Sequence, residues 1–272
     1  MALSPPTPEE LRGSRLYGEA LDAAGIAEWF EAERGGYAGL VGADDGDKRT
    51  GALHQHHALR FLAPRRYALA LALGAADGSE YSAIAPLVDR FVAIEPGRPF
   101  WRDNIGGVAA DYRDPLPGGE IDLPDASVDL ACAFGVLHHI PNVAAVLRGL
   151  ARVMAPGAPL ILREPIVSLG DFRGPRPGLT AHERGIPHRL MDAMLGEAGF
   201  AVVRKSFAGL PGLRQVASRI GIGQPWDSAA FVGADALASR AMAWNARYWR
   251  PRLIDKAAPT MAYWLALRRP LS

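Results

Sequence analysis

Short apolar runs that end on glycine or proline alternate along this chain with stretches of helical spacing. Tyr67-Ala-Leu-Ala-Leu-Ala-Leu73 is continuously apolar and stops at Gly74, the pattern of a strand buried on both faces. Phe91–Ile94, Val128–Ala133, Leu160–Leu162 and Phe200–Val203 repeat it. Between them the spacing predicts helices over Tyr81–Val88, Val143–Met154 and Leu190–Ala198. Upstream, Leu16–Phe30 and Gly51–Leu62 read as helices, parted by a breaker stretch from Gly35 to Gly46. Downstream, Ala208–Lys256 reads as irregular to helical, and Thr260–Arg268 alternates like a strand.

Strands and helices in this order predict an α/β fold, a Rossmann-like, doubly wound, mostly parallel sheet. Around it we expect an N-terminal helical cap and a late helical insertion before a last, antiparallel strand. The corresponding boundaries are a cap over 1–63, a cofactor-binding core over 64–207, an insertion over the substrate face at 208–256 and a final strand within 257–272.

Composition narrows the class. The chain has 272 residues, 49% of them hydrophobic, and a net charge of +1, which argues against disorder and against a dedicated nucleic-acid binder. The apolar runs are too short to span a membrane, and Met1–Pro6 lacks the features of a secretory leader. A single cysteine, Cys132, excludes an intramolecular disulfide framework and reads as a core filler, so a cytoplasmic setting is expected. Within the near-neutral total, Ala208–Ser272 carries nine Lys/Arg against three Asp/Glu, a basic segment set on an acidic core.

In open α/β sheets ligands bind at the carboxyl ends of the strands. The first such end is Gly74-Ala75-Ala76-Asp77-Gly78, a small-residue turn that permits close backbone approach. The second is Glu95-Pro96, where a carboxylate could accept hydrogen bonds from both hydroxyls of a ribose. The third is Phe134-Gly135-Val136-Leu137-His138-His139-Ile140-Pro141, preceded by Leu123-Pro124 and followed by Arg152-Val-Met-Ala-Pro-Gly157.

Taken in order, these motifs resemble the class I S-adenosylmethionine (SAM)-dependent methyltransferases, in their small-molecule branch. The resemblance spans Ala68–Phe200 and the final strand. It departs from the family pattern at Ala72, where an aspartate is usual, at Ala76, in place of the middle glycine, and at Val128. It implies SAM as cofactor, held by Gly74, Ala75, Ala76, Asp77, Gly78, Glu95, Pro96, Phe134 and Gly135. Glu120 and Asp122 are both candidates for the adenine end, with Glu120 and its neighbour Ile121 favoured. It implies methyl transfer to a small-molecule hydroxyl, on a sugar or nucleotide-sugar, with His138, His139 and Glu164 as the catalytic set.

Other residues compete for the acceptor end. His54 and His57 share a helix face. No cysteine or evident acid accompanies them, so a place in a lid is expected rather than a metal site, and no metal is expected elsewhere. His182 and His188 flank a loop that could close over the acceptor. Trp244 and Tyr248, at i and i+4, with Arg247 and Arg250 nearby, suggest an aromatic, cationic patch for an anionic group. A monomer or homodimer is expected, without membrane or nucleic-acid partners.

Three alternatives differ in class. No tyrosine has lysine at the fourth position on, which speaks against a nicotinamide-dependent short-chain reductase. Phe134-Gly135-Val136-Leu137 replaces the proline-rich aromatic motif of enzymes that methylate amino groups of DNA bases. Ala72 and Ala76 keep open a non-catalytic protein of the same fold acting as a scaffold.

Overall fold

The computed structural model describes residues 5–40, 50–172, 174 and 176–270. In chain order the helices and strands are α1 (Pro8–Arg12), α2 (Ala23–Leu40), α3 (Gly51–His57), β1 (Ala70–Leu73), β2 (Phe91–Ile94), β3 (Asn104–Ile105), β4 (Val108–Arg113), β5 (Leu130–Phe134), α4 (Val143–Val153) and β6 (Pro159–Pro165). They continue with α5 (His188–Glu197), β7 (Phe200–Ala208), α6 (Leu213–Arg219), α7 (Ala229–Ala241) and β8 (Met261–Arg268).

The strands form one sheet in the order β3-β4-β2-β1-β5-β6-β8-β7. β1 lies parallel between β2 and β5, so the order reverses at the β1–β5 seam. That seam is the switch point where ligands are expected. β8 runs antiparallel between β6 and β7, as its alternating sequence predicts. No described helix is long and apolar enough to cross a membrane.

The strand pleat sorts the apolar residues into two layers. Leu71, Leu73, Ala133, Leu160, Leu162 and Trp264 face α4 and α5, which bury Leu147, Leu150, Met191 and Leu195 against them. Ala70, Ala72, Ala93, Cys132, Ile161 and Tyr263 face the other way, toward α3, α7 and the chain after β1. The small alanines on this second face leave room for Tyr81, whose hydroxyl donates to the Leu73 carbonyl at 2.5 Å. Burial pushes the Cys132 thiol well above its ordinary pKa, as suits an inert core residue.

Several helix expectations are corrected. Tyr81–Val88 is not a helix; only two 3₁₀ turns form, at Ser79–Tyr81 and Ala85–Leu87. Pro86 lacks the N–H that a continued helix requires, and the segment ends within a few residues at β2. The Gly51–Leu62 helix stops at His57 and continues as a 3₁₀ turn, Leu59–Phe61. The helix expected over Leu16–Phe30 starts instead at Ala23 and runs through the Gly35-Gly36 pair, expected to break it, to Leu40. Tertiary packing overrides propensity here: Trp29 and Glu33, one turn apart, are buried, Trp29 with Tyr17, Phe172 and Tyr248 and Glu33 against His139 and Thr180. A Cβ at Gly36 would lie 3.1 Å from Thr180 Cγ2, so the glycine lets the 180 loop approach. The remaining part of the breaker stretch, 41–46, lies outside the described residues.

Candidate active site

At the end of β1 the chain takes a left-handed path through Gly74 (φ +62), Ala76 (φ +44) and Gly78 (φ +81). A Cβ at Gly74 would lie 2.4 Å from Val136 Cγ2, and one at Gly78 would lie 2.5 Å from Ile105 Cγ1. Packing against Val136 and Ile105 therefore sets the glycine requirement at both positions. The turn is fastened by Glu95 at the end of β2: its Oε2 accepts the Ala76 N–H at 2.8 Å and its Oε1 the Gly97 N–H at 2.7 Å. Glu95 is buried, and burial raises its pKa against the opposing pull of those two amides.

A carboxylate has about four lone-pair sites, so accepting one amide on each oxygen leaves capacity for hydroxyl donors. Beside it, the hydroxyl of Tyr112 on β4 is buried without a hydrogen-bond partner. That hydroxyl would lie 3.2 Å from a Cβ at Gly78. Burial, then the charges of Asp77 and Glu95, push it up to about 12. A buried acceptor with spare lone pairs and an orphaned phenol at one strand-end turn fit a nucleoside that brings its own hydroxyls. Pro96 is exposed next to Glu95. Glu120 is exposed and lines a cleft of about 320 Å³ with Arg148 and Arg152, while Ile121 is buried behind it.

The chain leaves β5 at Phe134, turns at Gly135 (φ +69) and enters a 3₁₀ turn, Leu137–His139. Glu164, fully buried on β6, organises this turn. Its Oε1 accepts the N–H groups of Val136 and Leu137 at 2.9 and 2.8 Å, and its Oε2 lies 2.8 Å from His138 Nδ1. On its other side, His138 Nε2 lies 3.5 Å from Glu183 Oε1. Burial works against a charged His138, but the two glutamates outweigh it and raise its pKa.

His139 is set differently. Its Nδ1 lies 2.8 Å from Glu33 Oε2, its side chain is 28% exposed, and burial followed by the adjacent His138 lowers its pKa. Glu33 also accepts from Thr180 Oγ1 at 2.5 Å and from the His182 N–H at 2.8 Å. Trp29 donates its indole N–H to the His139 carbonyl at 2.7 Å and stacks on His182. Arg184, fully buried, donates to the carbonyls of Tyr17, His138 and Ile140 at 3.0, 2.8 and 3.0 Å.

Residues 71–162, which hold both strand ends, match the family model described as a methyltransferase domain. Over that stretch the chain has the pattern of a methyltransferase domain. No curated protein matches the chain. Among solved structures, the methyltransferase domain resembles a protein described as a methyltransferase in a Haloferax volcanii complex with the activator Trm112. That pair shares 12% identity over 89% of this chain and 99% of the other, with a TM-score of 0.57. It also resembles the cyclase SpnF, at 16% identity over 93% and 98% of the two chains and a TM-score of 0.52. The Bradyrhizobium japonicum N-methyltransferase NodS, solved with S-adenosylhomocysteine (SAH), matches at 12% identity over 88% and 99%, with a TM-score of 0.50. At these identities the likeness establishes the shared fold.

Several expected site residues fall elsewhere in the methyltransferase domain and its attachments. His54 and His57 belong to the core and not to a lid: both are buried, His54 stacked on Phe134 and His57 on Tyr263. His188 sits 3.3 Å from Lys205 Nζ on α5, whereas His182 does join the cluster. Trp244 and Tyr248 do not share a helix face, because α7 ends at Ala241 and Asn245 turns inward. Trp244 is 74% exposed, while Tyr248 packs into a buried group with Tyr17, Trp29 and Phe172. Arg250 spends its N–H groups on the carbonyls of Arg247, Ala258 and Pro259, so it braces the insertion and offers no open fork. Arg247 remains largely exposed, 3.9 Å from Asp255.

Sequence reasoning missed Glu33, Tyr112, Thr180 and Glu183. Each is an ordinary residue of a cap helix, an edge strand or a loop, and only the tertiary fold brings it to a strand end. The Glu183-Arg184 pair between His182 and His188 was the one available signal.

Proposed function

We propose that this chain transfers the methyl group of SAM to a hydroxyl of a small-molecule acceptor, a sugar or nucleotide-sugar, with His139 accepting the hydroxyl proton. The half-open His139, its Nδ1 fixed by Glu33 at the turn after β5, carries this reading. Bound SAM supplies an activated methyl group on a sulfonium. Glu95 and Tyr112 hold the nucleoside hydroxyls, and the turn from Gly74 to Gly78 lines the same end. Gly135 lies at the reacting end after β5, while the Phe134 ring packs in the other layer, stacked on His54.

With Nδ1–H donated to Glu33, His139 presents the lone pair of its other ring nitrogen, the state required of a general base. His138 has both nitrogens facing carboxylates and acts as the brace that keeps the turn in place. Holding the hydroxyl in line is worth up to about 7–11 kcal/mol in favourable cases, and the base about 10²–10⁴-fold in rate. Glu33, Glu164 and Glu183 make the acceptor end acidic. This favours the neutral polyhydroxyl part of an acceptor there, with any phosphate held away from the cluster. The cap contributes Glu33 and the core contributes both strand ends.

Calorimetry with SAH tests the cofactor end. Glu95→Ala should lose roughly 2–4 kcal/mol, or about 30- to 1000-fold in affinity. Unchanged affinity removes Glu95 from the site.

A further inference from the structure

One ligand-type atom from each of His138, His139 and Glu183 lies within 4.8 Å of the other two. These are the only described side chains in which three such groups converge. We propose that they form a binding site for one divalent transition ion of the Zn²⁺ or Co²⁺ type.

The spacing suits an ion better than a proton. His138 Nε2 and Glu183 Oε1 are 3.5 Å apart. A good N–H···O bond spans about 2.7–3.2 Å. Two ligands about 2.1 Å from a tetrahedral ion lie about 3.4 Å from each other.

The surroundings are a second, independent observation. Metal-bound histidines characteristically give their other ring nitrogen to a carboxylate, which fixes the ring and raises its basicity. Glu164 does this to His138 Nδ1 at 2.8 Å, and Glu33 lies 2.8 Å from His139 Nδ1. Thr180 Oγ1 lies between the outer carboxylate and the ligand one, donating to Glu33 at 2.5 Å and 3.3 Å from Glu183. Four separate segments are thus gathered around the two rings: α2, the turn after β5, β6 and the 180–183 loop.

Charge points the same way. Three carboxylates surround two imidazoles, and the nearby Arg184 gives its hydrogen bonds to backbone carbonyls. The donor set of imidazole nitrogen and carboxylate oxygen, without thiolate, suits Zn²⁺, Co²⁺ or Ni²⁺ over Ca²⁺. Cys132 is excluded, being buried in the layer on the opposite face of the sheet. Three protein ligands leave a fourth position open, the form of a site that takes an exogenous oxygen. The ion site stands on this placement alone; with Nδ1 on Glu33, an ion would take the His139 lone pair that the acceptor reading gives to the base, so ion-bound and proton-accepting His139 are alternative states of one ring.

The test is a Co²⁺ titration of the metal-stripped protein, followed by its visible absorption, with Zn²⁺ displacing it. One equivalent per chain is expected. Glu183→Gln and His138→Gln should weaken binding at least about 100-fold, Glu33→Gln about 10- to 100-fold, and His188→Gln not at all. Lack of saturable binding by the folded wild type overturns the site, as does unchanged binding in a Glu183→Gln variant that melts like wild type. Should that variant fail to fold, anomalous diffraction at the zinc edge decides: a peak between His138 and Glu183 supports the site, and a peak elsewhere overturns it. SAH calorimetry on the same samples separates the two readings. SAH binding without Co²⁺ binding refutes only the ion site, and the converse refutes only the cofactor assignment.

Discussion

Arg163 and Glu164 are neighbours on β6, and the pleat sends them to opposite faces of the sheet. Arg163 enters a cluster whose charges are paired with one another. It pairs with Glu80, which lies 3.6 Å from His54, and His54 in turn reaches Tyr263 Oη at 3.0 Å and Thr50 at 2.9 Å. Glu164 enters a cluster of the same chemistry, histidines and glutamates, that reaches the surface at His139. In the first, every charge is matched inside the protein. In the second, carboxylates exceed fixed cations and one ring stays half open. Composition alone does not separate the two; charge pairing does.

The largest effect should come from breaking the Arg163–Glu80 pair. Arg163→Met leaves Glu80, held down to about 2 by Arg163 despite burial, without its partner. A loss of about 3–5 kcal/mol in urea unfolding is expected. A small loss would show that water solvates the partly exposed Glu80 once Arg163 is gone.

In the open cluster the cost should fall on activity. His139→Gln should lower methyl transfer about 10²–10⁴-fold while SAH affinity stays the same. Rates near wild type would move the base elsewhere.

Acid should also tell the clusters apart. His57 is buried with Nε2 unpartnered, and burial followed by neighbouring His56 lowers its pKa to about 3. Its folded pKa lies below the unfolded value of about 6.5, so the unfolded chain binds the extra proton first. Stability present above about pH 6.5 should fall toward pH 3 by up to about 1.4 kcal/mol per unit from this group. His57→Phe should flatten that slope in pH-dependent melting; an unchanged slope would assign it to other groups.

Tyr112→Phe is a gentler probe. Removing an orphaned hydroxyl should stabilise the ligand-free protein by about 1 kcal/mol and weaken SAH about 5- to 30-fold. The smallest effect is expected at Arg247→Gln, on the exposed insertion, with stability within about 0.5 kcal/mol of wild type. A marked, salt-dependent loss of acceptor affinity would restore the cationic patch.

The mostly parallel sheet and the turn residues Gly74, Glu95, Gly135 and His138 were legible from hydrophobic runs and the residues that end them; the order of the strands, and β3 and β4 beside β2, were not. Such signals are local: a strand buried on both faces must be apolar, and a chain leaving it must turn. Helix extent was less legible, because Pro86 and the buried Trp29–Glu33 face outweighed spacing and glycine count. The partners of the site were not legible at all. Glu33, Glu183 and His139 are far apart in sequence, and nothing near Arg163-Glu164 states which of the two meets a paired charge and which an open ring. The sequence by itself determined a methyltransferase-like sheet and where its ligand end lies. Tertiary structure decided which histidines are core and which are open, because that depends on what the other chain segments place over each ring.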